Sequence, residues 1–271
     1  MEHSIFFRNM LVDGKPVDGE STSEDKPLDL PGLTARQFEL MLDFVYFRYP
    51  GPTVTVYEAL ILLQLSDKFI MPTVRDFALK VLDYRLIPPI LRLHYGVKCH
   101  VEGWVERAYR ELIWLPINRI LTAHLAVVDP QLMLDVIRTK AQCEDFRRSL
   151  YLDPPTSVHD PECFSRAACI AAWKFAFRTG FCLHYLNPEP DIYLSPALAA
   201  EKIQGIEPRG MHSKCLELTK AALIHDGAFE GETRILHAAM NAACGRGSTE
   251  PTLDAADMEL MALYNARTGV F

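Results

Sequence analysis

Thr34-Ala35-Arg36-Gln37-Phe38-Glu39-Leu40-Met41-Leu42-Asp43-Phe44-Val45-Tyr46 is the stretch whose reading decides the fold class. Thr34 is a good helix N-cap, and Gln37 stands three residues on, where each side chain can serve the other's backbone N–H. Phe38, Met41, Leu42, Val45 and Tyr46 then recur at spacings of three and four. That spacing predicts an amphipathic helix burying those five residues. Tyr49-Pro50-Gly51-Pro52 ends it. Working outward, Thr53 or Thr55 can cap a second helix carrying Ala59, Leu60, Leu62, Leu63 and Leu65. A third helix follows Met71-Pro72, with Val74, Phe77, Ala78, Val81 and Leu82 on one face. Upstream, residues 4–11 read as a short apolar helix, and a solvated loop of Gly, Pro, Ser and acidic residues begins at residue 13. The alternation Leu28-Asp29-Leu30 suits one short strand, ended by Pro31-Gly32.

Beyond a boundary at Pro88-Pro89, helices are predicted over 90–95, 101–112, 118–126 and 130–146. Asp153-Pro154-Pro155-Thr156 is a second break. Further helices are predicted over 161–179, 196–202, 211–224, 231–243 and 253–268, with an irregular stretch over 187–195. The expected fold class is mainly α, divided into segments 1–86, 87–153 and 154–271.

A chain of 271 residues suffices for one large domain or two ordinary ones. Its formal charge of −7 and pI of about 5.7 weigh against nucleic acid and against an anionic membrane surface as partners. The first residues lack the charged start and apolar run of a signal peptide. No stretch reaches the roughly 18 apolar residues of a membrane span. Seven cysteines, odd in number and scattered, suit reduced thiols, hence a cytoplasmic or nuclear protein.

The nearest thing to a ligand set is His159-x3-Cys163-x5-Cys169 together with Cys182-x-His184. Zinc sites recur with closed spacings such as C-x2-C, and none exists here. Cys169, Trp173 and Phe177 stand four apart, which reads as a core stripe, since free Cys packs as a small hydrophobe. Neither a G-x-S-x-G elbow nor H-E-x-x-H is present. Cys99-His100 are neighbours in sequence, which does not place a thiolate beside a base. Gly245-Arg246-Gly247-Ser248 reads as a turn. His94 and His124 read as partly buried, hydrogen-bonded histidines, and Trp104 and Tyr109 as core. The expectation is a non-enzymatic chain without metal or cofactor. The alternatives are a small helical enzyme or metal-binding protein with its site around Cys163–His184, and a truncated relative without activity.

Several stretches in order resemble the BTB/POZ domain, most closely the type found in mushroom-forming fungi. They are Phe7-Arg8-Asn9-Met10-Leu11, Pro27-Leu28-Asp29-Leu30-Pro31, Phe38 through Tyr46, Ala59 through Phe69, and Val74-Arg75-Asp76-Phe77-Ala78. Leu91-Arg92-Leu93-His94-Tyr95-Gly96-Val97 and Trp104-Val105-Glu106-Arg107-Ala108-Tyr109 resemble the helical extension of such proteins, and Cys169 and Trp173 their C-terminal part. The resemblance implies an incomplete BTB/POZ-like α+β unit followed by an all-helical region. It implies an interaction module or adaptor, in transcriptional regulation or in recruiting substrates to a ubiquitin ligase. Protein partners would be a cullin-type scaffold or another BTB chain. The surfaces it implies carry Phe6, Phe7, Leu11, Val12, Phe47 and Tyr49. The sequence departs from the family in having no room before Ser4 for the opening β-hairpin and helix, which weighs against a BTB-type homodimer.

Overall fold

The structure, a computed structural model, describes residues 32–47, 54–115, 128–183 and 196–245. These residues are mainly helical, and no strand occurs among them. The short strand at Leu28–Leu30 and the helices expected over 4–11, 118–126 and 253–268 lie outside the described residues. No described helix is long and apolar enough to cross a membrane. The chain divides into two compact units, the first with described residues 32–47, 54–105 and 128–129, the second with 106–115, 130–183 and 196–245.

The first unit begins with α1 (Ala35–Phe47), α2 (Val56–Lys68) and α3 (Pro72–Asp83). The start of α1 forms as expected: the Thr34 N–H donates to Gln37 Oε1 at 2.8 Å, and the Gln37 N–H donates to Thr34 Oγ1 at 3.3 Å. Thr55 and Glu58 make the same reciprocal cap on α2. Pro72 opens α3, where a missing N–H costs nothing.

The buried face of α1 differs from the expected one. Gln37, Leu40, Met41 and Phe44 are buried, whereas Tyr46 is 75 % exposed and Phe38, Leu42 and Val45 are half-buried. With apolar residues at nearly every position from 38 to 46, spacing alone leaves the face undetermined. The helix settles where Phe44 meets Phe77 of α3, ring centroids 5.0 Å apart. Residues Ala59 through Ser66 of α2 are all buried, so α2 is the central helix of this unit.

Then come α4 (Pro89–Lys98) and α5 (Glu102–Trp114), the latter beginning in the first unit and ending in the second. The ends of α2 and α4 share one device. Ile70 and His100 adopt left-handed backbone at φ 49° and 52°. The next N–H, of Met71 or Val101, reaches back to the carbonyl of Ser66 or Gly96, each at 2.8 Å. Gly96 lets α4 and α5 approach, since a Cβ there would lie 3.1 Å from Trp104 Cβ.

The second unit contains α6 (Pro130–Leu152), α7 (Arg166–Ala176), a π-helical turn (Phe177–Cys182), α8 (Pro196–Gln204), α9 (Ser213–His225) and α10 (Gly231–Cys244). Its core gathers around Trp173, Phe177 and Phe181, with Leu150, Ile203, Leu223 and Phe229. The rings form a ladder with centroid steps of 5.5, 5.0 and 5.1 Å from Trp173 through Phe177 and Phe181 to Phe229. Residues 153–165 form an ordered loop without regular structure, so α7 starts at Arg166 and not near Pro161 as the sequence suggested.

Helices α6 and α10 pack closely at Gly231, where an added Cβ would overlap three ring carbons of Phe146. Gly231→Ala is therefore expected to cost about 1–3 kcal/mol by overpacking, read from urea unfolding. Adding Phe146→Leu should recover most of that loss. Equal instability of the single and double variants would contradict the assigned contact.

Candidate metal centre

The second unit brings four metal-binding side chains together from three parts of the chain. His159 and Cys163 lie on the 153–165 loop, Cys169 in the first turn of α7, and Cys215 in the first turn of α9. One ligand atom from each falls within 4.8 Å of all the others. Cys169 and Cys215 are buried, and His159 and Cys163 are half-buried.

Local interactions explain why the loop sits there. The Trp173 indole N–H donates to the Pro155 carbonyl at 2.8 Å, tying the loop's start to α7 one turn beyond Cys169. The Val158 N–H donates to Thr219 Oγ1 at 2.9 Å, tying the next residues to α9 one turn beyond Cys215. The Thr219 hydroxyl in turn donates to the Cys215 carbonyl at 2.6 Å. Asp160 closes a turn, its Oδ1 accepting the Glu162 N–H at 2.8 Å and its carbonyl the Cys163 N–H at 3.0 Å.

The sulfurs have their own environment. The Cys163 and Cys169 Sγ atoms are 3.6 Å apart, so the thiols touch without a disulfide, which would need about 2.05 Å. Backbone N–H groups donate to two of them, Asp160 to Cys215 Sγ and His212 to Cys169 Sγ, each at 3.3 Å. A backbone hydrogen bond from Ser165 lowers the Cys163 thiol from its ordinary pKa, helped by contacts from Cys215 and Cys169. Burial raises that of Cys215, and its neighbouring thiols add to the rise. His159 Nε2 lies 3.3 Å from Ser157 Oγ, while its Nδ1 is buried without a hydrogen-bond partner. A donor set of three thiols and one imidazole can hold a soft or borderline transition metal.

A cavity of about 330 Å³ elsewhere in this unit shares no lining residue with the cluster. Trp114, Lys140, Cys143 and Arg147 line it. Each is already engaged or inert. Lys140 Nζ donates to the carbonyls of Ile113 and Leu115 at the end of α5, at 2.8 and 3.2 Å. Arg147 is ion-paired to buried Glu232 and stacked 3.7 Å from the Trp114 ring centre. Burial, aided by the Glu232 carboxylate, pushes the Cys143 thiol up to about 12, so it stays protonated at neutral pH.

Of the site residues expected from sequence, Phe6, Phe7, Leu11, Val12 and Tyr49 lie outside the described residues. Phe47 closes α1, with its side chain outside them too. The suggested ligand set is divided: His159, Cys163 and Cys169 converge, Cys182 packs in the core away from them, and His184 is not described. Cys215 is the member that sequence reasoning missed. Cys99 and His100 make no dyad: Cys99 is a buried helix C-cap, and His100 is the exposed left-handed residue after it. Trp104 and Tyr109 are buried, the indole N–H of Trp104 donating to Asp83 Oδ1 at 3.1 Å. His94 is half-buried against Tyr95, and His124 is not described. Comparison with protein-family models, with curated proteins and with solved structures finds no match for the chain.

Proposed function

We propose that this chain is a non-enzymatic protein-interaction module, a helical scaffold of the kind the BTB/POZ resemblance implies. The observation that carries the reading is a separation. A catalytic site needs a nucleophile or a proton-transferring group lining a concave pocket. Here the cavity of about 330 Å³ holds a neutral thiol, an arginine committed to Glu232 and a Glu144 carboxylate 3.8 Å from the Arg148 guanidinium, while the cluster of thiols and imidazole shares no residue with it. Large apolar side chains of this unit instead face outward. Phe164 is fully exposed next to Cys163, and Phe175 of α7 is 70 % exposed. Exposed aromatic rings of this kind serve protein recognition better than chemistry.

The experiment is affinity capture with the full chain, followed by cross-linking and mass spectrometry. Two variants carry the test: Phe7→Ala/Tyr49→Ala on the surface the resemblance implies, and Phe164→Asp/Phe175→Asp on the second unit. A specific protein retained by the parent chain and lost on at least one variant, with circular dichroism unchanged, is the expected result. Identical captured proteins for the parent chain and both variants would overturn the reading.

A further inference from the structure

We propose that His159, Cys163, Cys169 and Cys215 form a structural zinc site that fastens the 153–165 loop to α7 and α9. The argument starts from size. With Zn–S bonds of about 2.3 Å, neighbouring sulfurs at the corners of a tetrahedron stand about 3.8 Å apart. Cys163 and Cys169 Sγ stand 3.6 Å apart, and all four ligand atoms lie within 4.8 Å of one another. Bringing the looser corners to bonding distance requires movements of no more than about 1 Å, within the reach of side-chain rotation.

Polar bookkeeping points the same way. Buried polar atoms in folded proteins are nearly always paired. His159 Nδ1 is buried and has no hydrogen-bond partner, while Nε2 faces Ser157 Oγ at 3.3 Å. If Nε2 carries the proton and donates it to Ser157, Nδ1 keeps its lone pair free for an ion. That is the tautomer a metal ligand requires, fixed by an outer hydrogen bond as metal-bound imidazoles commonly are. The backbone N–H groups of Asp160 and His212, aimed at Cys215 and Cys169 Sγ, are donors suited to thiolates holding a cation.

A plain apolar core explains less. Buried thiols can pack as small hydrophobes. Core packing does not explain why three of them gather beside an imidazole that has one buried nitrogen left without a partner. Three sulfurs and one nitrogen favour zinc over calcium or magnesium, which seek oxygen ligands. Four protein ligands fill a tetrahedral shell and leave no position for substrate, so the role is structural.

The test uses the full chain, purified with reductant and without chelator, and zinc measured by elemental mass spectrometry. One zinc per chain is expected. Cys163→Ser, Cys169→Ser, Cys215→Ser and His159→Ala should each weaken zinc retention by about 100-fold or more, and Ser157→Ala by about ten-fold. Cys244→Ser, outside the cluster, should keep the metal. Replacing zinc by cobalt in the unaltered chain gives a readout that does not depend on variants folding. Tetrahedral cobalt bands with thiolate charge-transfer absorption are expected. Failure to bind zinc or cobalt at micromolar concentration would overturn the proposal. So would zinc that survives Cys163→Ser, or zinc lost on His212→Ala while His159→Ala retains it, since the His212 ring lies only 4.0 Å from Cys215 Sγ.

Discussion

Glu232→Ala is expected to destabilise the second unit by about 3–5 kcal/mol. Glu232 and Arg147 are almost fully buried, with side-chain exposures of 2 % and 5 %. The guanidinium meets the carboxylate through two nitrogens, Nε to Oε1 and Nη2 to Oε2. Its carbon lies 3.7 Å from the centre of the Trp114 ring. Removing the carboxylate leaves a desolvated cation over that ring without its buried counter-charge. A cation over an aromatic face contributes about 1–2 kcal/mol, too little to offset the loss. The decisive comparison is the double variant Arg147→Met/Glu232→Leu. Removing both charges and keeping apolar volume should be nearly neutral or stabilising, because neither ion is then left alone. Urea unfolding of the full chain followed by tryptophan fluorescence reads both, since Trp114 and Trp173 belong to this unit. A double variant as unstable as Glu232→Ala would show that packing at these positions, and not charge, holds α6 against α10.

Trp173→Ala is expected to cost as much, about 3–5 kcal/mol from lost packing. The indole is fully buried and heads the ladder of Phe177, Phe181 and Phe229. Its N–H also holds the Pro155 carbonyl. Trp173→Phe separates the two roles. It keeps an aromatic ring in the ladder and removes the hydrogen bond, at a cost of about 1–2 kcal/mol. Because that bond anchors the loop carrying His159 and Cys163, Trp173→Phe should also speed zinc loss to a chelator. A normal chelation rate in Trp173→Phe would mean the loop is held by its contacts to α9, from Thr219 and Cys215, without the Trp173 bond.

Much of the fold was legible from local rules. The reciprocal caps at Thr34/Gln37 and Thr55/Glu58 and the proline starting α3 depend on neighbouring residues, so a short window of sequence contains the whole cause. The stripe Cys169-Trp173-Phe177 was legible for the same reason, and all three side chains are buried. The buried face of α1 was not, because Phe38 through Tyr46 offers more apolar residues than one face can bury. Its orientation is set by a distant ring, Phe77.

The candidate site was half legible. His159, Cys163 and Cys169 stood out as a cluster, but their spacings repeat no common zinc motif. The fourth ligand comes from a helix far along the chain, and Cys182, which lies nearer in sequence, turns into the core instead. The 153–165 loop added to the difficulty. Its Pro and Asp residues read as a linker, yet hydrogen bonds to Trp173 and Thr219 hold it against two helices. A signal was present in His212-x2-Cys215, a close pairing of ligand types at the start of α9. Its Cys215, read together with His159-x3-Cys163-x5-Cys169, completes four donors for a closed shell.

Native mass spectrometry of the full chain tests the account most directly. Sprayed from neutral volatile buffer, the protein is expected to carry the added mass of one zinc ion. Sprayed from acid, which protonates the thiolates and the imidazole, the same sample should show the bare chain. A bare mass under both conditions, with zinc added in excess, would contradict the closed metal site and leave the four converging side chains as ordinary core.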